Sequence, residues 1–351
     1  MSKEEDGLAE TRVKSFVLRL LLAQPLTYWK LLKYIDVDIP TVQKALKNLL
    51  ENKILEYKNN LFYLTPKGKE EARKLGISVF NSAICPECKG KTVTLSPFKW
   101  LIEEFESLIS QRPRAISEYD QGYVNPTDTV ARVVFMYQLG DIEGKNIILL
   151  GDDDLTSLAL LASGFPKKVT VLEIDQRILD FIEKKAALKG WNNLEVVHYD
   201  VRYPLPDQFK NKYDVFLTDP VETINGIDLF LSRCVEALKG EGSIGYFGLT
   251  HLEASRQKWW NIQKDILKMG FVITDIVRGF HTYLLERDDI LKLELKVAKE
   301  APVEIVAPEV DFYTSNLFRV YAVNVPQPLV RGKVDWQREL YYDQEAYVTC
   351  P

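Results

Sequence analysis

Residues 147–155, Ile-Ile-Leu-Leu-Gly-Asp-Asp-Asp-Leu, run from four apolar residues through one glycine into three adjacent carboxylates. The apolar run reads as a buried parallel strand and the glycine as the turn after it. From about residue 126 onward the same pattern repeats. Strands are expected at 145–151, 168–175, 193–200, 213–220, 242–249, 271–277 and 317–325. Helical segments at 157–164, 178–190, 228–240 and 256–270 separate most of them. Continuous apolar strands alternating with helices imply an α/β fold with a doubly wound, mainly parallel, Rossmann-like sheet. Ligands of such sheets bind beyond the carboxyl ends of the strands.

The 351 residues carry a net charge of −5, spread unevenly. Residues 1–80 hold 14 Lys and Arg against 10 Asp and Glu, and the remainder hold 31 against 40. The larger part of the chain therefore repels polyanions and attracts cations. No apolar run reaches about 18 residues, so neither a membrane span nor a signal peptide is expected. Four cysteines, two of them close together, do not form a secreted disulfide framework, and a reducing cytoplasm is expected. Few Met and Cys accord with a thermophilic source.

Residues 1–75 read as a winged-helix domain: three short helices, the second capped by Thr27, then a hairpin turning at Asn59-Asn60 and a polar helix. Thr41, Gln43, Lys44 and Lys47 could face a DNA groove, but a balance of +4 is weak for a phosphate-binding surface. Nucleic acid is therefore not expected as a partner, and such modules also serve in dimerisation. Residues 76–125 form a connector containing Cys85-Pro-Glu-Cys88, the spacing of half a zinc knuckle. Two unligated thiols in a tight turn are the plainer reading, and two subunits each supplying one pair the bolder. Cys234 and Cys350 are isolated. Residues 126–325 form the catalytic domain, and 326–351 read as either a lid or a frayed terminus.

Glu173 and Asp175 end the second strand, where a carboxylate can accept from both hydroxyls of a ribose. Asp200 ends the third, placed to accept from an adenine amino group, and Asp219 and Pro220 end the fourth. Any one of these acids could be a helix cap. Together they resemble the nucleoside site of class I methyltransferases and of aminopropyltransferases. S-adenosylmethionine would bring its own carboxylate against Asp152, Asp153 and Asp154, a costly clustering of like charges. Decarboxylated S-adenosylmethionine ends in a bare ammonium, and a polyamine is a chain of cations. In Asp219-Pro-Val-Glu222, an anion replaces the aromatic residue with which nucleic-acid N-methyltransferases stack a base.

The winged-helix start, Cys85–Cys88, the stretch 119–132 (YDQGYVNPTDTVAR), Gly151–Asp154 and Asp219–Glu222 resemble the branched-chain polyamine synthases, the N(4)-bis(aminopropyl)spermidine synthase family. The resemblance implies aminopropyl transfer from decarboxylated S-adenosylmethionine, as co-substrate, to the secondary amine of spermidine, with 5′-methylthioadenosine released. No tightly bound cofactor is expected, and a homodimer is. The resemblance points to Asp153 as the catalytic base, and mutual repulsion in the triple supports it independently. Asp152 and Asp154 would steer flanking ammonium groups, and Asp219 and Glu222 would line the amine channel. Tyr119, Asp120, Gln121 and Thr127 would close it from the other side. Gly151, Glu173, Asp175 and Asp200 would hold the nucleoside. His198, His251 and His281 read as structural. Nucleic-acid N-methylation and a polyamine-sensing regulator are the alternatives.

Overall fold

The computed structural model describes residues 3–116, 119 and 121–349, and of residues 3–9, 287 and 288 it describes the backbone alone. The chain opens with α1 (Lys3–Ala23), α2 (Tyr28–Tyr34) and α3 (Ile39–Glu51), followed by the hairpin β1 (Leu55–Lys58) and β2 (Leu61–Leu64), then α4 (Pro66–Lys74). Side-chain oxygens of Thr27, Asp38 and Thr65 cap α2, α3 and α4 by accepting from backbone N–H groups three residues on. Asn59 and Asn60 both take positive φ, 51° and 60°, the geometry a two-residue hairpin turn demands.

This module shares its core with distant segments. The Trp29 ring lies 4.7 Å from that of Phe312, and its Nε1 donates to the carbonyl of Val306 at 2.9 Å. Gln43, expected at a DNA groove, is instead buried and donates to the Tyr28 hydroxyl (2.8 Å) and the Val297 carbonyl (3.1 Å). Lys44 pairs with Glu10. The amphipathic α3 turns its Gln43 side toward residue 297, so the four residues 41, 43, 44 and 47 do not share an outward face.

Within the connector, α5 (Lys99–Ile109) buries Leu101, Phe105 and Leu108. After α6 (Pro126–Gln138) come β3 (Asn146–Leu150), α7 (Thr156–Ser163), β4 (Lys168–Glu173), α8 (Gln176–Lys189), β5 (Leu194–His198), β6 (Val215–Thr218), α9 (Ile224–Ala237), β7 (Ile244–Thr250), α10 (Arg256–Lys268) and β8 (Phe271–Thr282). Two short helices, α11 (Arg287–Lys292) and α12 (Lys296–Lys299), precede β9 (Thr314–Ala322), and α13 (Arg338–Tyr341) lies in the tail.

All seven expected strands are present in one sheet of order β5-β4-β3-β6-β7-β9-β8. The strands β3 to β7 run parallel, and β9 inserts antiparallel between β7 and β8. The order reverses on either side of β3, so the carboxyl ends of β3 and β6 flank a natural crevice. Residues 326–349 are anchored rather than frayed. The fully buried Arg233 donates to the carbonyls of Val201 (3.0 Å) and Gly332 (2.6 Å), and Thr223 donates to that of Leu340 (2.6 Å). Among the described residues no helix is long and apolar enough to cross a membrane.

Candidate active site

The crevice opens into a cavity of about 670 Å³. Its floor is built by strand ends. Gly151 turns out of β3 at φ +77°, a conformation that favours glycine, and donates its N–H to the Leu172 carbonyl at 2.8 Å. The next N–H, of Asp152, donates to Glu173 Oε2 at 2.8 Å. Glu173 Oε1 accepts from Ile174 (2.8 Å) and Asp175 (2.9 Å). One acid at the end of β4 thus fixes the acidic turn after β3 and its own turn as well.

The three aspartates diverge. Asp153 faces the cavity. Asp152 is buried behind it and accepts from the Ser157 N–H at 3.2 and 3.3 Å, at the start of α7. Asp154 is buried too: its Oδ2 pairs with Arg132 at 3.0 Å, and its Oδ1 accepts from the Val124 N–H at 2.7 Å. The expectation that Asp152 and Asp154 meet ligand ammonium groups is therefore corrected, since consecutive residues in a tight turn cannot all point one way. The Asp153 carbonyl accepts from Arg112, whose guanidinium stacks 3.5 Å from the Tyr123 ring.

Burial, then the charges of Asp154, Glu173 and Asp219, push the Asp153 carboxyl well above its ordinary value, with Arg112 opposing. Asp219, beyond β6, lines the same cavity and accepts from the Tyr283 hydroxyl at 2.6 Å. Burial and Asp154 raise it to about 6. Burial above all pushes Asp152 up to about 8.

Two cofactor expectations need correction. Asp175 does not line the cavity: it caps α8, and although burial raises its pKa, the hydrogen bonds from Arg177 (3.0 Å) and Gln121 (2.9 Å) outweigh that and hold the carboxyl below its ordinary value. Asp200 does not line it either: Arg202 grips it at 2.7 Å, and against burial, which raises its pKa, this pairing holds the carboxyl below its ordinary value. Gly151, Glu173, Asp219, Pro220, Glu222, Tyr119 and Gln121 do line it. Thr127 does not; its N–H donates to Asn125 Oδ1 (3.0 Å) at the start of α6. Asp120 and Cys350 lie outside the described residues. Cys85 is exposed and Cys88 half-buried, Cys234 is buried, and among the described residues no cluster of three or more metal-ligating side chains occurs.

The rest of the wall had no motif to announce it. Glu253, after β7, lines the cavity while accepting from the Tyr313 hydroxyl (2.5 Å) and from the N–H groups of Val348 (2.6 Å) and Thr349 (3.2 Å). Glu286, Asp289, Ile290, Leu293 and Leu295 come from the insertion around α11. Tyr199, Val201 and Phe230 add an apolar slot at the other end, beside Tyr341 of the tail. Among the described residues, seven carboxylates line the cavity against Arg114 and Lys292.

His251 and His281 are buried and hydrogen-bonded. The first contacts the Ile35 carbonyl through Nε2 at 3.0 Å, and burial lowers it to about 4. The second is held by Arg132 and Ser315, each at 3.0 Å. His198 is exposed at the end of β5.

Residues 101–348 match the model of the branched-chain polyamine synthase A C-terminal domain. The chain belongs to this family. It is 39% identical over 326 residues to the N(4)-bis(aminopropyl)spermidine synthase of Thermococcus kodakarensis, covering 92% of this chain and 90% of that one. With the enzyme of the same name from Methanocaldococcus jannaschii it shares 36% over 323 residues, 92% of this chain and 91% of that one. The crystal structure of the Thermus thermophilus branched-chain polyamine synthase, in complex with N4-aminopropylspermidine and 5′-methylthioadenosine, superposes with a TM-score of 0.84. That match has 33% identity and covers 96% of this chain and 93% of the other. Membership of the family makes the chain an aminopropyltransferase.

Proposed function

We propose that the chain moves aminopropyl groups from decarboxylated S-adenosylmethionine to the secondary amine of spermidine, producing a branched polyamine and 5′-methylthioadenosine. One observation carries the reading: a single cavity joins an aromatic slot at the ends of β4 and β5 to a carboxylate-rich channel, with Asp153 between them. The slot of Tyr199, Val201, Phe230 and Tyr341 suits an adenine, and Glu173 suits the ribose hydroxyls. The channel interleaves Asp219, Glu222, Glu253, Glu286 and Asp289 with Ile290, Leu293 and Leu295, which suits ammonium groups spaced by methylene chains.

The mechanism follows from charge. A protonated amine cannot attack, and a carboxylate of raised proton affinity is the better base for it. Asp153 takes the proton; the nitrogen lone pair then attacks the carbon bound to the sulfonium. The C–S bond breaks with its electrons passing to sulfur, leaving a neutral thioether. Net charge is conserved, so orientation and exclusion of water contribute most. The incoming cations also replace the protons that the crowded carboxylates hold when the cavity is empty.

A donor bearing its carboxylate would meet Asp153 and Glu173 in a poorly hydrated turn, which supports the decarboxylated donor. Nucleic-acid N-methylation is not favoured, because Glu222 offers no stacking surface and Gln43 points inward. With this reading go a winged-helix classification of residues 1–75, a methyltransferase-type sheet domain over 126–325, the tail as a cover of the site, a homodimer, and a cytoplasmic location. The test is incubation with spermidine and either donor. Methylthioadenosine and a product heavier by one or two aminopropyl groups are expected with the decarboxylated donor alone. Equal binding of ordinary S-adenosylmethionine at the Gly151 turn would overturn the electrostatic account.

A further inference from the structure

We infer that Arg132, His281, Ser315 and Tyr283 form a one-way hydrogen-bond chain that holds Asp219 as a fixed acceptor in the amine channel, making His281 and Ser315 positioning residues. The inference rests on the channel reading above. Four contacts in series compose it. Arg132 Nε meets His281 Nε2 at 3.0 Å, and His281 Nδ1 meets Ser315 Oγ at 3.0 Å. Ser315 Oγ meets the Tyr283 hydroxyl at 3.1 Å, and that hydroxyl meets Asp219 Oδ2 at 2.6 Å. Arg132, His281, Ser315 and Tyr283 are all buried.

Chemistry dictates the direction of every link. A guanidinium has donors and no acceptor, so His281 Nε2 must present its lone pair. A neutral imidazole then carries its proton on Nδ1, which donates to Ser315 Oγ. The serine proton is left to point at the tyrosine oxygen, and the tyrosine proton goes to Asp219. His281 stays neutral because burial, with Arg132 and Lys91 facing it, disfavours a further positive charge. Asp219 is faced by Asp154, Arg132 and Tyr283, and it acts in turn on Asp153.

Such a chain conducts no proton away from the cavity. Passing one outward would end at Arg132, which cannot accept it. The chain fixes geometry instead. Its far end also grips the acidic turn, since Arg132 Nη2 pairs with Asp154 at 3.0 Å. One guanidinium thereby sets the turn carrying Asp153 and, through three intervening residues, the carboxylate of Asp219. The other oxygen of Asp219 is packed against Gly248 of β7, where an added Cβ would stand 2.2 Å from Oδ1. The carboxylate is located from both sides.

Ser315→Ala tests the chain with the smallest change, leaving Tyr283 and Asp219 in place. Its melting temperature should stay close to the parent's, while kcat falls about tenfold. The acid limb of the kcat/KM profile should move to higher pH, because a less polarised Tyr283 stabilises ionised Asp219 less. Ser315→Thr, which keeps the hydroxyl, should restore both. An unmoved acid limb in Ser315→Ala, or a loss that Ser315→Thr shares, would overturn the inference. A second measurement needs no turnover: 15N NMR of the parent labelled at histidine, with His281 assigned by His281→Gln. The neutral Nδ1–H form should persist across pH 5 to 9. An Nε2–H form or a protonated ring would sink the chain even if aminopropyl transfer is confirmed, and its presence would stand even if transfer is not.

Discussion

The two ends of the cavity hold their acids in opposite ways. At the end proposed for the nucleoside, Glu173 is held by the N–H groups of Asp152, Ile174 and Asp175, all belonging to the two adjacent strand-end turns. At the end proposed for the amine, Glu253 takes Tyr313 and the backbone of residues 347–349, and Asp219 takes Tyr283. The first wall is fixed by short-range backbone geometry, the second by partners 60 or more residues away. The difference teaches that the position of Glu173 is a property of the sheet itself, to which α9 and the tail add Phe230 and Tyr341. The channel acids after β6 and β7 are held by, and joined to, residues of the insertion, β8, β9 and the tail.

The largest effect should come from the residue between the walls. Asp153→Asn is expected to lower turnover by at least about a hundredfold while methylthioadenosine binds as before. Rapid-quench assays and calorimetry check the pair, and unchanged turnover would remove Asp153 from the mechanism. Next comes Arg132→Met, which leaves Asp154 a buried, uncompensated charge and should destabilise the fold by about 3–5 kcal/mol. Denaturant melts check it, and adding Asp154→Asn should recover part of the loss; no recovery would dissociate the two residues.

The walls can then be set against each other. Glu253→Gln should raise KM for the polyamine several-fold and spare nucleoside affinity, whereas Glu173→Gln should do the reverse. If either variant weakened both ligands equally, the division into slot and channel would fail. The smallest effect concerns Asp152. Its folded-state value, raised to about 8, means that it binds a proton more tightly in the folded chain than in the unfolded one. Its contribution to stability is therefore full below about pH 4 and is lost as pH rises toward 8. Asp152→Asn should raise the melting temperature by roughly 2 °C or more at pH 8.5 and leave it nearly unchanged at pH 4. A gain of equal size at both values would contradict the assignment.

Much of this is legible in the sequence. Strand periodicity located the sheet, and the glycine after β3 located the turn, because both signals are local. Asp153, Glu173, Asp219 and Glu222 followed from the rule that strand ends carry the ligand contacts. Four other acids misled for a physical reason. A carboxylate at a strand end is read the same way whether it faces a ligand or an arginine, and the partner decides. For Asp175 and Asp200 the partner was close at hand, since each is followed two residues later by the arginine that grips it. For Asp154 it was not, because Arg132 is 22 residues upstream on α6. Glu253 could have been found by applying the strand-end rule once more, to the stretch His251–Glu253 after β7. Glu286, Asp289 and Tyr313 could not, as the insertion that brings them has no periodicity of its own.

Leu155, at the close of the acidic turn, is fully buried yet takes a left-handed backbone, φ 57° and ψ 32°. That conformation costs an ordinary L-residue about 1–2 kcal/mol. Glycine would relieve the backbone and open a void beneath α7, and a larger apolar residue would keep both the strain and the crowding. Single-step mutation therefore finds no downhill direction at this position. The path of the acidic turn is thus locked by the core beneath it, whatever charges the three residues before Leu155 carry.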